Sequence, residues 1–476
     1  MNISTDMLVI GGGLAGFCAA LELAEAGRDV LLLEKMDHTG GSSAMSGGCL
    51  ALAGTDLQRR NGIEDSDELL FQDLREVGKF VNDERIVRAY VDHQLETYEW
   101  LCRHGVVFSP VVPTLSGQSV PRAHQIDPAD TIRTLAARCK ATGKVRVMLS
   151  TRAERLVHDE LAGRVTAVQV TGSGGRQVIE VTGQVILASG GFCQDKELVA
   201  RFAPLYAEAV FVGGAGNVGD GLRMAWKLGA DMVDMPYIKG TFGKHPVDMR
   251  NNHSCLAAYK GAIIVNQEGK RFVDESLSYK LLGDAVMQQS DRTAYQVFDQ
   301  DIFESGDDQV RILDFNRRLE EGTLLKAQSL AELASMIDIP LEVLSETIDR
   351  YNGYVEAGHD PEFGRKTLVH THGEPVRIGR APFYAYPSTA VVFGTYCGLR
   401  VDDRMHVLDV FGERIGGLLA AGEVVGGLHG AAYMTGSSLG KAAIFGRIAA
   451  RTAIAEGEAL DGATAAPGRR EARLAA

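Results

Sequence analysis

Residues Met7-Leu8-Val9-Ile10-Gly11-Gly12-Gly13-Leu14-Ala15-Gly16 read as a strand running straight into a glycine-rich turn. Four successive apolar residues fit a short buried strand. Gly11, Gly13 and Gly16 then match the spacing GxGxxG. An Ala-rich stretch over residues 17–26 continues as a helix, and Gly27 can end it. A second apolar run, residues 29–33, ends in Glu34 and Lys35, with Glu34 18 residues after Gly16. Each part has a physical task. The first glycine permits the tight turn, the second lets backbone approach a pyrophosphate, and the third lets helix and strand pack closely. The helix N-terminus offers free N–H groups to phosphate. The acid at the end of the second strand can accept hydrogen bonds from ribose hydroxyls. The unit therefore predicts a bound dinucleotide.

The motif alone does not separate FAD from NAD, but two further glycine-rich pieces bear on the choice. Thr39-Gly40-Gly41-Ser42-Ser43-Ala44-Met45-Ser46-Gly47-Gly48 follows soon after the ribose acid, as a long cofactor lying over backbone would require. Near the other end come Gly417-Leu418-Leu419-Ala420-Ala421-Gly422-Glu423 and Gly426-Gly427-Leu428-His429-Gly430, before a helix expected over residues 437–455. A late segment returning to the cofactor would close a nucleotide domain around a flavin.

Composition sets the bounds. The 476 residues give a prior of two large domains or about three ordinary ones. Hydrophobic residues are 45% and charged residues 23%, so a sizeable core is within reach. The net charge of −13 disfavours nucleic acid and anionic membranes, which require clustered cations. Seven cysteines show no CxxC pair, which argues against a zinc ribbon, an iron–sulfur run or a haem attachment site, and no metal is expected. Free thiols, no signal-peptide pattern and no apolar run of spanning length lead to the expectation of a cytoplasmic protein. Residues 65–105 read as helical, 146–183 as short strands and 329–357 as a helix pair broken at Pro340. Strands are expected at 262–265 and 267–273, and a frayed tail over 461–476.

Over nearly its whole length the chain resembles the FAD-binding flavoproteins of the fumarate reductase and succinate dehydrogenase superfamily. The matching pieces are GGGLAG with Glu34, the GGSSAMSGG loop, residues 185–188 running into Ser189-Gly190-Gly191-Phe192, Gly219-Asp220-Gly221, and the Gly422-Glu423 segment. The resemblance implies an α/β fold: a Rossmann-like, glutathione-reductase-type FAD-binding domain with an inserted α+β catalytic or cap domain. The FAD domain is expected over 1–240 and 393–476, and the cap over 241–392. Glu423 is implied to contact the flavin ribityl region. The helix beginning near Ser438 and Leu439 is implied to point its N-terminus at the flavin pyrimidine edge. The histidine that carries covalent FAD in succinate dehydrogenases falls at Gly41, so non-covalent FAD is expected.

The same comparison removes the dicarboxylate-binding residues of fumarate reductases. Their positions fall at Thr241, Leu256-Ala257, Gly394, Tyr433 and, for the acid-donating arginine, Tyr279. Tyrosines at 279 and 433 resemble the 3-oxosteroid Δ1-dehydrogenase branch and related cyclic-ketone desaturases. That likeness implies Tyr279 as the base for an α-proton, with Tyr433 and the backbone N–H of Ser437 holding the ketone oxygen. The chemistry is self-consistent, because enolate formation requires a base, an oxyanion site and a hydride acceptor. The leading expectation is thus FAD-dependent α,β-dehydrogenation of a cyclic ketone such as 4-oxocyclohexanecarboxylate or a 3-oxosteroid, with a quinone, a dye or oxygen as electron acceptor. The alternatives are an FAD-dependent enoate reductase of the fumarate or urocanate type, and a flavoprotein subunit that only relays electrons. Pocket candidates are Arg122 and His124, Thr241, Gly394 and His429, with Lys239, Lys244 and His245 as further cations for a substrate carboxylate.

Overall fold

The computed structural model describes residues 3–247, 254–308, 310–369 and 372–465. The run Met7–Ile10 is a fully buried strand, as is Val30–Leu33 beside it, and the two pair in parallel from Met7 opposite Val30 to Ile10 opposite Leu33. Continuous apolar strands of this kind belong in a parallel sheet covered on both faces. Val145–Met148 extends the sheet on one side. Val185–Leu187 and then Arg414–Ala420 extend it on the other, both parallel. Beyond them the order runs through Arg164–Gly172 and Gly175–Val181 to Ile3–Thr5. The strands expected over 146–183 are Val145–Met148, Arg152–Asp159, Arg164–Gly172 and Gly175–Val181.

The helix Leu14–Glu25 starts at the end of the first strand and packs against the last helix, Ser437–Ala465. Small residues allow the approach. A Cβ on Gly446 would stand 2.5 Å from the Ala15 carbonyl oxygen. The last helix is longer than expected from the sequence, which placed its end near residue 455 and fraying from 461; residues 461–465 are helical, and 466–476 lie outside the described residues. The expected helical stretch 65–105 is two helices, Asp67–Val77 and Glu84–Arg103. Their N-caps are Ser66, accepting from Leu69 N–H, and Asp83, accepting from Arg85 N–H.

A second sheet is organised on the 13-residue strand Phe383–Thr395. It pairs with Ala294–Phe298, Leu325–Ala327, Val210–Phe211 and Ile238–Lys244, and Ala294–Phe298 pairs in turn with Ile263–Val265. The long strand joins two cores. Tyr384, Ala385 and Tyr386 sit in a cluster with Ile263, Val297 and Leu344, whereas Ala390 and Val392 belong to the core of the first sheet. Residues 240 and 393, the expected domain edges, lie within Ile238–Lys244 and Phe383–Thr395. The pair Leu330–Met336 and Leu341–Ala357 breaks at Pro340 as expected. The strand expected over 267–273 is reduced to a single bridge between Val265 and Arg271. Arg271 is instead committed to a buried ion pair with Glu275 and Asp360, which holds that segment as a loop. Among the described residues no helix is long and apolar enough to cross a membrane.

Candidate active site

The N-terminal glycines divide their work as the spacing predicts. Gly11 has φ +119°, and a Cβ there would meet the Ala188 carbonyl oxygen at 2.2 Å; a Cβ on Gly16 would meet the Gly11 carbonyl oxygen at 1.9 Å. These two positions are closed by packing. At Gly13 the nearest atom to an added Cβ is Ser43 Oγ at 3.6 Å, so this turn stays open where a phosphate would approach. Glu34, at the end of its strand, accepts from Gly12 N–H at 2.8 Å and Met36 N–H at 2.9 Å. Lys35 is held at 2.7 Å by Asp220, which also takes Arg152 at 2.6 Å. Burial opposes the Asp220 charge, but these two cations hold its carboxyl below the usual range.

Three segments of the chain converge at Glu423. Its Oε2 accepts from Asn217 Nδ2 at 2.8 Å and its Oε1 from Thr395 N–H at 2.8 Å. Asn217 Nδ2 also reaches Ser42 Oγ at 3.2 Å, and Gly214 N–H donates to that oxygen at 3.0 Å. Gly190, Gly191 and Gly394 border this junction. A Cβ on Gly190 would come within 3.3 Å of Asn217 Nδ2, on Gly191 within 2.0 Å of Thr395 Oγ1, and on Gly394 within 2.8 Å of Glu423 Oε1. Gly41, Ser42 and Ser43 form the short helical turn Gly41–Ala44. Gly47 is open, and a Cβ on Gly48 would collide with the Ile126 carbonyl oxygen. Gly422 packs beside Ala15. At the last helix, Gly440 N–H closes the first helical bond onto Gly436 O. Ser438 and Leu439 precede that bond, so their N–H groups form the positive end of the helix dipole.

Beside this cradle lies a cluster of aromatic rings. Tyr279 opens the helix Tyr279–Val286, and Ser278 caps it. Tyr433 comes from the loop before the last helix. Their ring centroids are 5.9 Å apart. Tyr396 stacks on Tyr433 at 5.5 Å and 8°, and His429 stands 5.0 Å from Tyr396 and 5.5 Å from Tyr433. Tyr279 Oη is 3.2 Å from Thr435 Oγ1. Thr435 is itself fixed, because its N–H donates to Ser116 O at 2.9 Å and its carbonyl accepts from Gln118 Nε2 at 2.9 Å. Burial pushes the Tyr279 phenol well above its ordinary pKa, and the neighbouring Tyr433 adds to that. Burial, with the Lys441 and Lys239 charges, pushes His429 well below its ordinary value, so it stays neutral. Lys441 is pushed down to about 8 by burial, and its Nζ donates to Val425 O at 2.6 Å.

Three expected assignments are corrected. Arg122 is fully buried and spent on Asp65, at 2.7 Å, and on Asp73. His124 is bonded on both ring nitrogens, to Thr55 Oγ1 and to the Arg122 carbonyl, each at 2.8 Å. Both are architectural and leave no cation for a ligand. The backbone N–H of Ser437 already donates to Met434 O at 3.1 Å, and its hydroxyl lies 3.2 Å from His429 Nδ1. It therefore cannot serve as the second donor of an oxyanion site. Thr241 and Gly394 belong to paired strands, and Thr241 Oγ1 is buried without a partner. Lys244 is buried with its Nζ 5.8 Å from the Phe393 ring centroid, and burial pushes it down to about 8. The sequence reading missed Asn217, Tyr396 and Thr435. Asn217 stands two residues before the Gly219-Asp220-Gly221 motif, a position that could have signalled it.

The family described as FAD binding domain matches residues 6–439, and the chain belongs to it. Its cofactor is FAD, and its class is that of FAD-dependent oxidoreductases acting on CH–CH or C=C groups. Among curated relatives, the urocanate reductase of Eggerthella lenta is 31% identical over 435 residues, covering 88% of this chain and 70% of its own. The vinyl phenol reductase of Lactiplantibacillus plantarum is 30% identical over 450 residues, covering 88% and 89%. Among solved structures, the 3-ketosteroid-Δ4-(5α)-dehydrogenase of Rhodococcus jostii RHA1 superposes with a TM-score of 0.79 at 26% identity, covering 95% of this chain and 97% of that one. The α/β FAD-binding fold expected from the resemblance is thus correct. The ketone desaturation expected from Tyr279 and Tyr433 is not. Relatives about 30% identical over most of the chain are reductases, which overturns it.

Proposed function

We propose that this protein is an FAD-dependent reductase of an activated carbon–carbon double bond, an enoate, with Tyr279 as the proton donor. The observation that carries the reading is the half-buried Tyr279, its hydroxyl 3.2 Å from Thr435 Oγ1 and its pKa raised by burial, at the position that the resemblance gives to the acid-donating arginine of fumarate reductases. The reductase relatives support it.

The open turn at Gly13, Glu34, the Ser42–Asn217–Glu423 junction and the Ser438 and Leu439 N–H groups fit FAD and would hold it. When bound and reduced, FAD supplies a hydride equivalent to the β-carbon of the alkene. Tyr279 delivers the matching proton to the α-carbon, and the phenol is restored from solvent. Tyr433 and Tyr396 wall the pocket and exclude water from the alkene. The positive end of the last helix would favour the anionic reduced ring. Electrons come from an external low-potential donor, so the partner is a reductant rather than the expected acceptor. We assign residues 1–240 and 393–476 to the FAD domain and 241–392 to the cap. With glycine at position 41 the flavin is held without a covalent bond there. All seven cysteines are unpaired, which supports a cytoplasmic setting.

The test is anaerobic. Dithionite-reduced holoenzyme is mixed with 3-substituted acrylates in D2O. Flavin reoxidation with deuterium appearing at the α-carbon is the expected result. Absence of reoxidation by every alkene would refute the reading.

A further inference from the structure

Lys239 is a cation in the aromatic cluster that, among the described residues, has no carboxylate to neutralise it. It lies on Ile238–Lys244, opposite Gly394 of the long strand, and its Nζ stands 4.2 Å from the Tyr433 ring centroid. Among the described residues no ion pair includes it. Its charge is felt at Cys49, Cys193 and His429, on three different segments around the tyrosines. Lys441 donates to Val425 O, Lys35 pairs with Asp220, and Arg122 pairs with Asp65 and Asp73. Thr241 follows two residues later; a register shift of the pairing falls between Lys239 and Gly240, and Lys239 and Thr241 are the two half-buried positions of a strand that is otherwise buried. Its hydroxyl is buried with no partner, although buried polar groups are ordinarily satisfied.

We infer that Lys239 is the specificity-determining anion anchor of the site. It holds one substrate carboxylate above the Tyr433 ring, and Thr241 Oγ1 donates a second hydrogen bond. A single cation accounts for a single carboxylate, so the preferred substrate is a monocarboxylate enoate rather than a dicarboxylate or a neutral alkene. The inference rests on the reductase reading and names its substrate class.

The test compares acrylates bearing methyl, phenyl and 4-hydroxyphenyl groups at carbon 3 with their methyl esters. The readout is the ratio of acid to ester kcat/KM for reoxidation of the reduced holoenzyme. A charge-assisted hydrogen bond predicts a loss of about ten- to hundred-fold in that ratio for Lys239→Met, with recovery in Lys239→Arg. Thr241→Val is expected to lower the same ratio by a few-fold. An unchanged ratio in a flavin-loaded Lys239→Met protein would overturn the anchor and leave the reductase reading standing. Wild-type enzyme that accepts acids and esters alike would also overturn it. Failure of wild-type enzyme with every acid and ester would overturn both.

Discussion

Replacing Tyr279 by Phe removes one oxygen and keeps the ring that packs 5.9 Å from Tyr433. The hydroxyl makes one protein hydrogen bond, to Thr435 Oγ1 at 3.2 Å. Such a bond is worth about 1 kcal/mol, so a purely structural hydroxyl would change the rate by about five-fold at most. A positioned general acid is worth about 10²–10⁴-fold, or roughly 2.7–5.5 kcal/mol of barrier. The two roles are therefore separated by more than a decade. The assay is stopped-flow reoxidation of the reduced flavin by an enoate, with kcat and KM resolved. Tyr279→Phe is expected to lose at least 100-fold in kcat with KM nearly unchanged. The pH dependence provides a second check. The active form is the protonated phenol, and burial holds its pKa well above the ordinary value. The wild-type rate should therefore stay level through neutral pH and not begin to fall near pH 10. A loss below ten-fold, or a rate that climbs as pH rises, would refute Tyr279 as the donor.

Gly13→Ala should fold, since its Cβ finds only ordinary contacts, with Ser43 Oγ at 3.6 Å and Gly40 O at 3.9 Å, yet purify with little flavin; the absorbance ratio of flavin to protein measures this. Gly16→Ala, whose Cβ would fall 1.9 Å from the Gly11 carbonyl oxygen, should yield little folded protein on size exclusion. Arg122→Leu strands two buried carboxylates and should cost about 3–5 kcal/mol in urea unfolding, while the rate per bound flavin is retained. Asp402 is lowered to about 2 by bonds from His406 and Arg414, which outweigh the opposing effect of burial. A depressed carboxyl gives stability that is present above its unfolded pKa of about 3.9 and is lost as pH falls through the folded value. Melting temperature should thus drop between about pH 4 and pH 2, and Asp402→Asn should flatten that drop.

The cofactor half of the molecule was readable because its constraints are local. Gly11, Gly13 and Gly16 lie within six residues, and Gly16 is closed by the Gly11 carbonyl of the same turn. Glu34 follows from the length of one helix. The aromatic site was readable in part. Tyr279 and Tyr433 are far apart in the chain, and only the likeness to flavoproteins of known pattern brought them together. Their direction of chemistry did not follow, because one tyrosine can pass a proton either way and only the reductase relatives oppose desaturation. Arg122 misled for the same reason. Its partners Asp65 and Asp73 lie 57 and 49 residues away, so a neutralised cation reads in sequence like a free one. Ser437 misled because a backbone N–H carries no mark of the turn that uses it. Asn217 escaped notice since an amide in a loop has many ordinary uses.

The meeting of the first and last helices also bears on the order of events during synthesis. Glu22 is bonded to Arg447 at 2.9 Å across 425 residues of chain, and the strand Arg414–Ala420 completes the sheet begun by Met7–Ile10. At about 5–20 residues per second, roughly 20–85 s separate translation of the two partners. Throughout that interval the nascent chain carries its glycine turn and Glu34 but lacks Glu423 and the last helix. A ribosome stalled before residue 437 would leave the apolar face of Leu14–Glu25 without the helix it packs on, open to chaperones and proteases.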